Sequence, residues 1–149
     1  MDTRTELAAE LLGTVGRFRR RVRSSGGAAI GTGLPESQAE LLRLIGRRPG
    51  ISVREAATEL GLAPNTASTL VSKLSAEGLL LRTVDPDDRR VGRLRLTAPA
   101  QLLADESRAA KRAALNNALN RLDDSRITDL TKGLEVMSEL TRMLAEVQK

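Results

Sequence analysis

The segment from Ser52 to Gly78 constrains the fold more than any other part of the chain. Ser52 followed by Glu55 is the pattern of a capping box, so a helix is expected to begin there. Gly61 stands where a helix end favours a left-handed residue, and Pro64 suits the first turn of a following helix. Two short helices joined by a turn of about three or four residues that contains Gly predict a helix-turn-helix.

The second of these helices has an outer face of small polar side chains. Ala67, Leu70, Val71 and Leu74 follow helical spacing and are expected to face inward. Short hydroxyl and amide groups let a helix enter the major groove, about 12 Å wide, and bond to base edges. For an isolated helix, a merely polar surface is an equal alternative, and the next segment favours DNA. The outer residues are Asn65, Thr66, Ser68, Thr69, Ser72 and Lys73.

A β-hairpin is predicted directly after this helix. Residues 79–84 are β-prone, and residues 91–97 alternate apolar and basic side chains as a half-buried strand does. The connection Asp85-Pro86-Asp87-Asp88-Arg89-Arg90 places arginines at its tip, and a hairpin in this position is a wing. Its arginines suit the minor groove, whereas the alternative is a solvated hairpin in which they pair with the neighbouring aspartates.

Helices on either side carry more apolar surface than a small DNA-binding module can cover. They are predicted over residues 2–24, 98–122 and from about 125 onward, each with apolar residues at spacings of three and four. This surplus suggests a homodimer, which would present two reading helices to successive major grooves. Packing on their own module is the alternative. The predicted domains are residues 1–34 (dimerisation helix and linker), 35–97 (winged helix-turn-helix) and 98–149 (dimerisation helices).

Composition narrows the classes of function. A net charge of +5 and a pI near 10.6 favour a polyanionic partner, and 1% aromatic residues argue against base stacking. The chain has no Cys and no His, which removes disulfides, thiolate metal sites and the commonest general base. No catalytic residue, metal site or cofactor is expected. Without an apolar run of about 20 residues or a secretory signal pattern, a cytoplasmic protein with no membrane contact is expected.

These features together resemble the MarR family of winged-helix regulators. The resemblance rests on residues 52–62, 65–74 and 77–80, and above all on the wing sequence 85–90 followed by Leu94-Arg95-Leu96-Thr97. It implies a mainly α fold with a small β-hairpin wing, a homodimer with interleaved terminal helices, and repression at pseudo-palindromic sites in double-stranded DNA. Ala98-Pro99-Ala100 replaces the charged residues and Gly that are usual in the family after this strand.

The resemblance also assigns the candidate DNA-binding residues. In the family's wing an Asp is followed two residues later by an Arg that enters the minor groove, and Asp88 and Arg90 match this pattern. The full set of candidates is Ser52, Pro64, Asn65, Thr66, Ser68, Thr69, Ser72, Lys73, Asp88, Arg89, Arg90 and Arg93.

Release by a small anionic ligand is a further implication of the family. A pocket is expected between the first helix, the Leu41–Ile45 region and the start of the Ala98–Leu122 helix, where an Arg of the first helix or of Leu41–Arg48 meets the anion. The absence of Tyr, Trp and His leaves few groups for a phenolic ligand.

Two alternative functions, and the role of an arginine cluster in the first helix, stay open at this point. A winged helix used for protein–protein contact is the alternative function, although the polar face of residues 65–73 favours DNA. An enzyme lacks support, because no nucleophile–base pair or phosphate loop is present. The arginines at 17, 19, 20, 21 and 23 either form a solvated helix face or touch DNA flanks or a partner subunit.

Overall fold

A computed structural model describes residues 2–27 and 29–147. These residues form six helices and one two-stranded antiparallel sheet, which confirms the predicted mainly α fold with a hairpin. The elements are α1 (Thr3–Ser24), α2 (Glu36–Arg47), α3 (Val53–Leu60), α4 (Pro64–Ala76), β1 (Leu80–Val84), β2 (Gly92–Leu96), α5 (Ala98–Leu119) and α6 (Asp124–Val147). The first predicted strand, 79–84, begins one residue too early, and the second, 91–97, is one residue too long at each end. α5 ends three residues before the predicted Leu122.

The described residues divide into two compact units, one ending at Lys111 and the other beginning at Arg112. The first unit holds α1 to α4, the hairpin and the N-terminal part of α5. The second holds the rest of α5 and all of α6. The three functional domains proposed from the sequence stay predictions.

The core of the first unit is centred on α2. Leu41, Leu42 and Ile45 are completely buried, and Leu74 of α4 packs with them in the same cluster. Burial of each such side chain contributes about 1.5–3 kcal/mol. Because α4 and the hairpin both supply residues to this cluster, the core fixes the helix and the wing to one support.

The hairpin register follows the side-chain alternation. Leu80 pairs with Leu96, and Val84 pairs with Gly92 at the other end. Leu80, Leu94 and Leu96 are buried, whereas Arg95 between them is exposed, as period-two alternation requires. The base of the hairpin is therefore held by the core, and its tip extends into solvent.

The two terminal helices leave apolar side chains uncovered. No described residue of α1 or α6 is buried. Phe18 of α1 is 54% exposed, and Leu134 and Leu140 of α6 are 54% and 40% exposed. The predicted surplus of apolar surface is thus present. Among the described residues, no helix combines the length and apolarity needed to cross a membrane.

Candidate nucleic-acid interface

The helix-turn-helix is built by the local signals that the sequence carries. The Ser52 hydroxyl accepts from the Glu55 backbone N–H at 3.0 Å, and the Glu55 carboxylate accepts from the Ser52 N–H at 2.9 Å. α3 ends at Leu60, and Gly61 directly after it has φ +64°, a conformation that costs glycine little. α4 then begins at Pro64 as predicted. The capping bonds also lower the pKa of Glu55, with a smaller effect from Arg93, so this carboxylate stays ionised.

The outer face of α4 is open to solvent. Ala67, Val71 and Leu74 are buried and Leu70 is half-buried, so the predicted inward stripe is confirmed. The Thr69 hydroxyl donates to the Asn65 carbonyl at 2.9 Å, which leaves its oxygen able to accept from a ligand. The exposed positions include all the predicted outer residues, Asn65, Thr66, Ser68, Thr69, Ser72 and Lys73.

The tip of the wing is shaped by its aspartates. One carboxylate oxygen of Asp85 accepts from the backbone N–H groups of Asp87 and Asp88, at 2.8 and 3.1 Å. Asp88 in turn accepts from the Arg90 N–H at 3.1 Å. Asp favours turns because its carboxylate accepts hydrogen bonds in this way from backbone N–H groups two or three residues later. The aspartates that precede Arg89 and Arg90 therefore shape the tip.

Arg93 ties the wing to the helix-turn-helix. Its Nε donates to Asp85 Oδ2 at 2.8 Å, and its Nη1 lies 3.7 Å from Glu55 Oε2 and 3.4 Å from the Gly50 carbonyl. The hydrogen bond from Arg93, followed by those from the turn, lowers the pKa of Asp85. The same bond raises the pKa of Arg93. This candidate DNA-binding residue is thus already occupied by protein carboxylates.

The two arginines at the tip of the wing are exposed to solvent. Arg89 is exposed, and the Arg90 side chain is 96% exposed with Nε 3.9 Å from Asp88 Oδ1. An ion pair of that length in water contributes less than about 1 kcal/mol. Local pairing with Asp88 is therefore too weak to keep Arg90 from a phosphate or a groove.

A groove of about 640 Å³ joins the helix-turn-helix to the wing. It brings together five of the predicted residues, Ser52, Pro64, Ser68, Asp88 and Arg90. The remaining candidates, on the outer face of α4 and at Arg89 and Arg93, do not line it. The other lining residues are Val53, Arg54, Arg82, Val91 and Gly92.

Arg54 and Arg82 are two further cations of this groove, and neither is among the residues predicted from the sequence. Arg82 lies on the same face of β1 as the buried Leu80, at a position where the strand pattern calls for an apolar residue. A basic residue that continues an apolar face beyond the core is a signal that could have identified it. A Cβ on Gly92 would collide with the Arg82 guanidinium, so the glycine makes room for Arg82.

The arginine cluster of α1 has two kinds of member. Arg19 pairs with Glu40 at 3.0 Å, and Arg23 pairs with Glu36 at 2.9 Å, which joins α1 to α2. Arg17 donates to Thr14 within its own helix. For Arg17, Arg20 and Arg21, both predicted alternatives stay open: a solvated helix face, or a contact with DNA or a partner subunit.

Comparison with known proteins places this geometry among regulators. Residues 32–91 match the model of the MarR family. The HTH-type transcriptional repressor Rv2887 of Mycobacterium tuberculosis is 30% identical over 125 residues, which are 84% of this chain and 88% of that protein.

Two solved structures have the same fold. FabT of Streptococcus pneumoniae, solved in complex with DNA, matches with a TM-score of 0.78 and 19% identity over 94% of this chain and 99% of its own. CouR of Rhodococcus jostii RHA1, solved with p-coumaroyl-CoA, matches with a TM-score of 0.60 and 26% identity over 88% and 93%.

Proposed function

The chain belongs to the MarR family of DNA-binding transcription regulators, and on this basis we propose that α4 reads the major groove of duplex DNA while the wing arginines enter the minor groove. One observation carries the proposal. Ser68 of α4 and Arg90 of the wing line the same groove, and both are exposed. A reading helix and a wing that share one concave surface can contact adjacent grooves of one duplex.

The proposed contacts divide by chemistry. On α4, the exposed hydroxyl and amide groups contact base edges, and Lys73 contacts a phosphate. On the wing, Arg89 and Arg90 are the cations free to enter a narrow minor groove, with Arg54 and Arg82 as further phosphate contacts from the groove. Direct readers and phosphate contacts therefore come from different elements of the same surface.

Three of the candidate residues are proposed to position other DNA-binding residues and not to contact DNA themselves. The Ser52 hydroxyl is committed to the capping box and the residue is only 8% exposed. Asp88 holds the backbone of Arg90, and Arg93 is bound by Asp85. We assign these three residues to positioning the reading elements.

The family is dimeric, and the exposed apolar faces of α1 and α6 fit that state. We infer that a two-fold dimer binds a pseudo-palindromic operator, because its symmetry presents two α4 helices to successive major grooves. By analogy with the repressor Rv2887, the regulation is proposed to be repression. A DNA-binding regulator of this kind acts in the cytoplasm of a bacterial cell.

Control by a small anionic ligand is part of the proposal. CouR, which is 26% identical, was solved with an acyl-CoA, a ligand that carries phosphate groups. A ligand that binds only the conformation unable to bind DNA would shift the protein toward that conformation and so release the operator.

The rival function, a winged helix for protein contact, calls for exposed apolar anchors on α4. α4 exposes no large apolar side chain, and most of its residues that face solvent are polar. An enzyme is excluded by membership in a family of transcription regulators.

The readers are tested by Ser68→Ala and Thr69→Ala, with Thr128→Ala as the matched control. The hydroxyls of Thr69 and Thr128 both donate to the carbonyl four residues earlier at 2.9 Å, so the two changes remove the same local bond. Each reader that makes a good base contact loses about 1–3 kcal/mol of discrimination at one base pair, and the control loses none. An unchanged preferred site in both α4 variants would remove these two residues as readers.

A further inference from the structure

Ser107 of α5 is a buried polar residue without a partner. It is 4% exposed, and its Oγ forms no hydrogen bond with any described residue. Buried hydroxyls in native proteins are nearly always satisfied by protein, water or ligand. Ser107 lines a cavity of about 100 Å³ together with Ile30, Arg43, Arg47, Ala104, Arg108 and Lys111.

The cavity is built from two helix faces that carry cations. Arg43 and Arg47 stand one turn apart on α2, and Ser107 and Lys111 stand one turn apart on α5. Residues four apart share one face of a helix, so the arginines of α2 and the Ser–Lys pair of α5 line the cavity together. A second void of about 240 Å³ shares Arg43, Arg47 and Lys111 and adds Arg23 of α1.

Positive charge exceeds negative charge around this cavity. Arg43 pairs with Glu36 at 2.8 Å, and Arg108 pairs with Asp105 at 2.8 Å. Glu36 is itself shared with Arg23. Arg47 and Lys111 form no salt bridge with any described residue, so two cations at the cavity are left without a counter-ion.

Lys111 is held in an unfavourable environment. Burial, followed by repulsion from Arg43, Arg23 and Arg47, lowers its pKa. A Cβ on Gly26 would lie 2.7 Å from Lys111 Cε and 3.1 Å from Ser107 Oγ, so Gly26 lies against both groups. An anion in the cavity would offset the repulsion and accept from the serine hydroxyl.

We propose that this cavity binds a phosphoryl group, with Ser107 Oγ donating to it and Arg47 and Lys111 neutralising its charge. A phosphate monoester carries about −1.5 to −2 charges at pH 7, which matches two unpaired cations, whereas a carboxylate matches one. The rest of an organic phosphate would project through the open side.

This site deepens the ligand control proposed above, and its test is kept separate from DNA binding. The full-length protein, free of DNA, is titrated calorimetrically with inorganic phosphate, phenyl phosphate and benzoate at constant ionic strength. Phenyl phosphate and benzoate share a ring and differ in the anion. We expect both phosphates to bind with one site per chain, and benzoate to bind at least about tenfold more weakly than phenyl phosphate.

Variants locate the binding. Ser107→Ala and Lys111→Gln should each weaken phosphate binding about tenfold, since each removes a hydrogen bond to a charged group. Ser138→Ala and Lys132→Gln remove the same groups on α6 and should leave binding unchanged. Equal affinities of the two phosphates would identify free phosphate as the ligand, and tighter phenyl phosphate would identify an organic phosphate.

Three results would overturn the proposal. The first is no heat of binding with either phosphate, and the second is benzoate binding as tightly as phenyl phosphate. The third is a phosphate affinity that is unchanged in both Ser107→Ala and Lys111→Gln. Because no DNA is present, none of them bears on operator reading. Release of bound DNA by phenyl phosphate is then measured separately. If the protein fails to bind the operator even when no ligand is present, the proposed DNA-binding function is contradicted. The phosphoryl-binding site in the cavity would not be affected by that result.

Discussion

The guanidinium of Arg93 donates to Asp85 at 2.8 Å and lies 3.7 Å from Glu55, so one side chain bridges the wing turn and the first turn of α3. Glu55 also closes the capping box at Ser52. This polar network therefore adds to the core contacts of β1 and β2 in holding the wing beside the helix-turn-helix. This arrangement assigns Arg93 a role distinct from that of the exposed Arg90.

Arg93→Gln should weaken operator binding through a misplaced wing. Because the network is partly exposed, we expect the operator affinity to fall by about three- to tenfold. This is at the low end of the effect of removing a hydrogen bond between charged groups. Fluorescence anisotropy over a range of salt should give an unchanged slope of affinity against salt, because no phosphate contact is lost. Arg95→Gln, an exposed neighbour on the same strand, is the control. A slope reduced by about one would instead identify Arg93 as a direct phosphate contact.

The Asp85 contact should make stability depend on pH in acid. Its pKa is lowered in the folded protein, so its contribution is full above its unfolded value of about 3.9 and is lost as the pH falls through the lowered folded value. Asp85→Asn should therefore be less stable than wild type at pH 6, and the difference should narrow below pH 4 in thermal unfolding. Asp87→Asn, which forms no side-chain hydrogen bond among the described residues, should follow wild type. A difference that widens in acid would contradict this assignment.

Gly92 and Arg82 should be energetically coupled. Gly92→Ala forces the Arg82 guanidinium to move, because the new Cβ would collide with it. If Arg82 contacts phosphate, Gly92→Ala and Arg82→Ala should each weaken DNA binding by several-fold, and the double variant should be no weaker than Arg82→Ala alone. Additive losses would place the effect of Gly92 elsewhere.

The apolar face of α6 should hold the dimer together. Leu140 is 40% exposed in the single chain, and a charge at an apolar interface carries a large desolvation cost. Leu140→Glu should therefore shift the protein toward monomer in sedimentation and weaken operator binding at low protein concentration. Lys132→Glu introduces the same residue on α6 as a control. A Leu140→Glu protein that stays dimeric would remove this face from the interface.

The parts of the fold that the sequence predicted correctly are those with local signals. The capping box at Ser52 and the left-handed Gly61 each involve residues within one helical turn, so spacing alone identified them. The wing was predicted from alternation and its aspartate-rich turn. These signals act over a few residues and need no knowledge of packing.

The parts that escaped prediction depend on distant pairing. Arg93 meets Asp85 because of the hairpin register, and it meets Glu55 because β2 lies beside the start of α3. The sequence predicted an anion pocket between the first helix, the Leu41–Ile45 region and the start of the helix that follows the wing, which stays a prediction. That Ser107 and Lys111 line a cavity with Arg43 and Arg47 depends on the packing of α5 beside α2. No periodicity along the chain records such contacts.

Sequence-specific DNA binding is tested by fluorescence anisotropy of the purified protein with DNA from its own upstream region and with a scrambled duplex, at two salt concentrations. We expect tight, salt-dependent binding that prefers the upstream DNA, and a loss of affinity in Arg90→Ala that is greatest at A·T-rich flanks. Equally weak binding to both duplexes at both salt concentrations would contradict sequence-specific reading of that region and favour a winged helix used for protein contact.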